Sequence, residues 1–134
     1  MTRIISTNIK DAEVIHFDGL DVYWLQKVQE NCPNFSSVCT CIYKPGARAK
    51  PAHAHLRGEE TIYVMSGSGK VKVGEVVSDL QAGTCVLFPQ GVPHMVWNCG
   101  AEDLHIICFY APNEAALEYE WHEDFDFPEF LETK

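Results

Sequence analysis

Two short stretches of this chain hold four residues that could bind a metal ion together. The first runs His53-Ala54-His55-Leu56-Arg57-Gly58-Glu59-Glu60 and reaches Gly67 after six more residues. The second runs from Gly83 through Pro89, Gly91 and His94 to Asn98. Residues two apart in a strand share a face, so His53 and His55 can aim their imidazoles at one point. Three imidazoles and one carboxylate suit a first-row divalent ion. The carboxylate lowers the net charge of such a site from +2 to +1, and positions stay open for water or a substrate oxygen. Without a cation, gathering these groups in an apolar interior would be costly.

The two stretches resemble the paired motifs of the cupin superfamily, G-x5-H-x-H-x3,4-E-x6-G and G-x5-P-x-G-x2-H-x3-N. The second motif is matched at every specified position. The first departs once, with six residues instead of five between Gly46 and His53. The cassettes then span 46–67 and 83–98. Glu59 and Glu60 compete for the carboxylate place. Only Glu60 leaves the six residues before Gly67 that the cupin pattern requires, and alternation puts it on the face of Ile62 and Val64. The resemblance implies one divalent transition metal (Fe, Mn, Ni or Zn) held by His53, His55, Glu60 and His94. It also implies an all-β fold, a small antiparallel double-stranded β-helix of the jelly-roll type.

The elements that must position these ligands read as short strands broken by turn residues, the pattern of a β-sandwich or barrel. Strands are expected over 22–25, 37–43, 61–65, 70–73, 76–80, 84–88, 95–98 and 104–110. Asn113 to Glu118 can cap and start a short C-terminal helix. Pro89, Gly91 and Pro93 would shape the turn that aims His94. Ile62, Val64, Val96 and Asn98 share the ligands' parity and are expected to wall the pocket. Tyr63 and Trp97 have the opposite parity and should lie outside. Arg48 and Lys50 either reach an anionic substrate at the barrel mouth or are solvated. His105 is either a pocket acid/base or a hydrogen-bonded core histidine. His16 and His122 are expected at the surface.

At 134 residues the chain is expected to be one domain, 1–134, with 46% hydrophobic residues and a globular composition. Its formal charge of −9 is uneven, since 112–134 holds eight of the 19 acidic residues and Lys134 as its only base. This acidic tail reads as a solvated flank, although its aromatic residues could also pack on the barrel. No basic patch exists to neutralise phosphates, which argues against nucleic-acid binding. No apolar run is long enough for a membrane span, and the start lacks a signal-peptide pattern, so a cytoplasmic location is expected. The six cysteines are then expected to be reduced, five of them in apolar stretches as small hydrophobes. Cys39-x-Cys41 lacks zinc-knuckle spacing, which favours packing over a second metal.

Cupins include dioxygenases, lyases, isomerases and proteins that only bind ligands, and the fold does not choose among them. The resemblance implies an enzyme acting on a small oxygen-bearing molecule chelated to the metal. The alternative is a binding or sensing module without turnover. Cupin lyases acting on dimethylsulfoniopropionate carry a Tyr two residues after the metal Glu, where this chain has Ile62, so that activity is not expected. A homodimer is expected, with apolar N-terminal stretches (Val14-Ile15, Val22 to Leu25), Tyr63 and Trp97 covering an edge.

Overall fold

Eleven antiparallel strands build two facing sheets in the computed structural model, which describes residues 4–28 and 35–131. They are β1 (Glu13–Phe17), β2 (Leu20–Gln26), β3 (Ser37–Tyr43), β4 (Ala52–His55), β5 (Glu59–Ser66) and β6 (Ser68–Val73). The rest are β7 (Val76–Gln81), β8 (Cys85–Phe88), β9 (His94–Trp97), β10 (Leu104–Ala111) and β11 (Tyr119–His122). One sheet has the order β1-β2-β3-β10-β5-β8, the other β11-β4-β9-β6-β7. The chain crosses between sheets at 56–58, so consecutive strands β4 and β5 face each other across the interior. This is the double-stranded β-helix expected.

The alternation of apolar residues decides which side chains enter the space between the sheets. Ile62, Val64, Val71, Leu80, Val96, Leu104 and Ile106 are all buried there. Burial of such a side chain stabilises the fold by about 1.5–3 kcal/mol. Two glycines hold turns in the left-handed region that other residues rarely adopt. Gly67 has φ +85°, and a Cβ there would lie 2.3 Å from the Asp103 carbonyl oxygen. Gly91 has φ +78°, and its N–H donates to the His55 carbonyl at 2.8 Å.

The tail departs from expectation. Residues 113–118 form a turn, not a helix. The Glu114 carboxylate accepts from the Val28 N–H at 2.9 Å and from the Ser37 hydroxyl, which ties that residue back to the barrel. Leu117 is fully buried, and Glu118 at φ +54° lies in the left-handed region, which blocks helical continuation. The chain then adds β11 to the edge of the second sheet, and only a 3-10 turn, Pro128–Phe130, follows.

The acidic tail is also not simply solvated. Phe127 is fully buried against Ala52 and Met95, and its ring lies 5.3 Å from that of Trp97. Trp97 does point out of the barrel, but the protein's own tail covers it. Asp126 is buried and bound by Arg48 at 2.9 Å through both Nε and a terminal nitrogen, and by Lys50 at 3.1 Å. Burial pushes the Asp126 carboxyl up, but its hydrogen bonds from Arg48, Lys50 and the Phe127 amide outweigh this and hold it below the ordinary range. A carboxyl depressed in the folded state adds stability that is present above its unfolded pKa and lost as pH falls through the folded value. Asp126→Asn is therefore expected to cost about 1–3 kcal/mol at pH 7. In denaturation series the gap from wild type should close below about pH 4; a gap independent of pH would contradict this ion pair's role.

Candidate metal centre

The four side chains singled out in the sequence meet at one place. One nitrogen or oxygen from each of His53, His55, Glu60 and His94 lies within 4.8 Å of the others. The three histidines come from one sheet. His53 and His55 are two apart on β4, and His94 on β9 stands directly opposite His53. Glu60 comes from the facing sheet, at the start of β5, between Phe88 of β8 and Tyr110 of β10. Glu59 is exposed, as the register predicts, and Glu60 is buried.

One backbone hydrogen bond leaves a histidine nitrogen free to face the cluster. His94 Nδ1 donates to the Val92 carbonyl at 3.1 Å, so its Nε2 is the unprotonated atom of the neutral ring. That Nε2 is buried, has no hydrogen-bond partner and lies 3.3 Å from Glu60 Oε1. His55 Nε2 is 3.0 Å from the same oxygen, and its Nδ1 is also buried without a partner. Burial, helped by the nearby His94, pushes His53 down to about 3, which keeps its imidazole neutral at physiological pH. Burial pushes the Glu60 carboxyl up, yet its contacts with His55 and His94 prevail and hold it well below the usual carboxylate range. A neutral His53, an ionised Glu60 and the orphaned buried Nε2 of His94 form, together with His55, a donor set that fits a divalent cation.

The cluster opens into a cavity of about 750 Å3 with mainly apolar and aromatic walls. Val96 lines it as expected, but Ile62 and Val64 lie in the core beneath. Asn98 is not a pocket group either. Its Nδ2 donates to the carbonyls of Tyr43 and Glu102 at 2.8 Å each, and its Oδ1 accepts from the Gly100 N–H, locking a turn. Arg48 and Lys50 reach the cavity wall, but their charges are engaged by Asp126. His105 bonds to Thr40 Oγ1 at 2.6 Å and is not among the cavity residues, so it serves as a hydrogen-bonded structural histidine. His16 and His122 pair with Asp21 and Glu120 at the surface. Among the cysteines, Cys39, Cys41 and Cys108 are buried, but Cys85 and Cys99 are exposed, and Cys32 lies outside the described residues.

The tail supplies residues that the sequence reading overlooked. In β11, Tyr119 pairs with His55 and Trp121 with His53, and both rings flank His53 at 5.1 and 5.5 Å. Their i, i+2 spacing was the visible signal, masked by the acidic residues between and after them.

The pattern that defines the cupin domain matches residues 39–110, more than half of the chain. The chain belongs to the cupin family. This cupin is similar in structure to a Klebsiella pneumoniae protein described as uncharacterised and conserved, with a double-stranded β-helix domain. The TM-score is 0.72 at 22% identity, over 92% of this chain and 99% of that one. An RmlC-like cupin from Shewanella frigidimarina matches with TM-score 0.67 and 22% identity over 81% and 90% of the two chains. Oxalate decarboxylase from Bacillus subtilis matches with TM-score 0.78 at 19% identity, over 92% of this cupin and 33% of that enzyme. At such identities the likeness carries the fold alone. No curated protein matches the chain in sequence. Among the described residues no helix is long and apolar enough to cross a membrane.

Proposed function

We propose that this cupin holds one divalent transition-metal ion through His53, His55, Glu60 and His94 and uses it to bind an oxygen-bearing small molecule. The observation that carries this reading is the buried, unpartnered His94 Nε2, 3.3 Å from the buried, ionised Glu60, with His55 Nε2 3.0 Å from the same oxygen. A bound divalent ion would supply Lewis-acid polarisation of a chelated oxygen. The chain's own residues supply the shape. Tyr119 and Trp121 stack with ring centroids 5.7 Å apart and cover His53, while Trp24 and Phe88 extend the aromatic wall. Phe88 stacks on His94 at 4.0 Å and fixes the plane of that imidazole.

The mainly apolar and aromatic lining favours a flat, weakly charged chelator over a small dicarboxylate, and Asp126 already engages both Arg48 and Lys50 and offsets one of their two charges. A catechol or tropolone is therefore expected to raise the melting temperature of the metal-loaded protein more than oxalate does. At 100 times its dissociation constant the stabilisation would be about 2.7 kcal/mol. The apo form should not respond, and an equal shift in both forms would contradict chelation.

Turnover of that ligand, of the dioxygenase, lyase or isomerase type, is the preferred reading. Non-catalytic binding is the second, favoured by one feature: burial pushes the cavity phenols Tyr43, Tyr110 and Tyr119 upward, which suits them to donate hydrogen bonds and not to abstract protons. Oxygen uptake and product analysis with the iron-loaded protein over a panel of enediols, catechols and keto-acids separates the two.

We also propose a homodimer through the outer face of the six-stranded sheet. There Phe109, Tyr63, Met65 and Leu87 stand exposed on the adjacent strands β10, β5 and β8, a grouping of the kind that marks interfaces. Trp97, under the tail, takes no part. Sedimentation at tens of micromolar should give twice the 15.1 kDa chain mass, and Leu87→Asp should give the monomer. A wild-type monomer would refute this.

A further inference from the structure

A second cluster of metal-binding groups lies in the same barrel, apart from the histidines. Cys39 and Cys41 are two apart on β3 and both point inward, and Cys108 on β10 stands directly opposite Cys39. The Sγ of Cys41 is 4.0 Å from that of Cys39 and 3.9 Å from that of Cys108, and all three sulfurs lie within 4.8 Å of one another. A point in the plane of such a triangle is about 2.3–2.5 Å from each sulfur, at or slightly beyond the ~2.3 Å metal–thiolate bond. Buried cysteines commonly act as small hydrophobes, but that role does not call for three of them to converge sulfur on sulfur. Cys41 and Cys108 also line the cavity, which gives an ion a path in.

We propose that Cys39, Cys41 and Cys108 form a separate site for one soft closed-shell cation, Cu(I), held in three-coordinate sulfur geometry. Thiolates select soft ions, and the group contains no imidazole or carboxylate. Among the described residues no fourth His, Cys, Asp or Glu joins it, which suits a trigonal ion better than zinc with its four ligands. The Tyr110 hydroxyl, 3.6 Å from Cys39 Sγ, can donate to a thiolate there. Each sulfur–copper bond replaces a sulfur–hydrogen bond and releases a proton to solvent, and copper stays Cu(I), so no oxidant or reductant is needed. The cation offsets part of the thiolate charge, so deprotonation and binding occur together.

The site stands whether or not the histidines hold their own ion, and the test separates the two. The full chain carrying Cys32→Ser, Cys85→Ser and Cys99→Ser retains only the three clustered thiols. Titrated anaerobically with Cu(I) against a competing chelator, it should bind one equivalent. X-ray absorption should show three sulfur neighbours at about 2.3 Å and no nitrogen. Cys108→Ala in that background should weaken binding at least ~10-fold, and His55→Ala should leave it unchanged. Less than half an equivalent bound, a nitrogen-containing copper shell, or loss of copper in His55→Ala would overturn the proposal. The absorption spectrum of the unaltered triad decides the matter even if Cys108→Ala fails to fold.

Discussion

Phe127→Ala is expected to destabilise the protein by about 3–5 kcal/mol, the usual cost of deleting a fully buried aromatic ring. That is a large share of the ~5–15 kcal/mol that holds a domain folded. The ring fills the space between Ala52, Met95 and Trp97 on the outer face of the second sheet, with Phe125 packed beside it. Urea denaturation measures the effect. Phe130, packed edge-on against Trp97 at 4.8 Å but exposed, provides the comparison, and Phe130→Ala should cost less than half as much. Equal, small effects from both would mean that the tail lies off the barrel in solution. The functional consequence follows from connectivity. β11 precedes this anchor by only a few residues, so loosening it also loosens Tyr119 and Trp121 over His53.

Glu60→Gln is expected to weaken metal binding at least ~10-fold, since loss of a direct ligand should cost no less than loss of the groups that orient one. The amide keeps the shape of the carboxylate but removes the one negative charge in the cluster, which lies 3.0 Å from His55 Nε2 and 3.3 Å from His94 Nε2. Glu59→Gln should change affinity little, because Glu59 is exposed at the start of the same strand. Competition titrations with a chromophoric chelator give both numbers. If the two variants behave in the reverse order, the register of β5 is off by one, since a slip by one residue exchanges the two faces of a strand.

The convergence of His53, His55, Glu60 and His94 was legible in the sequence because much of it depends on local geometry. His53 and His55 need only strand alternation, and the Pro89–Pro93 turn that aims His94 is written in prolines and Gly91 with φ +78°. Most strand cores were legible for the same reason. What escaped depends on pairing between distant segments. Cys108 meets Cys39 only because β10 lies beside β3, and nothing local to either strand specifies that neighbour. Arg48 and Lys50 looked free because their partner, Asp126, lies more than 70 residues away. The short helix at 113–118 failed on the same ground, as helix-compatible residues yielded to the tertiary hold of Ser37 on Glu114. Asn98, read as a pocket wall by parity, instead spends its side chain on three backbone groups.

Elemental analysis of the untagged protein, as purified and after reloading with Fe(II), Mn(II), Ni(II) or Zn(II), tests the central claim most directly. The donor set of His53, His55, Glu60 and His94 predicts about one divalent ion per chain with at least one of these metals, lost in His55→Ala. Less than about a tenth of an equivalent with all four, or equal loading of wild type and His55→Ala, would contradict it.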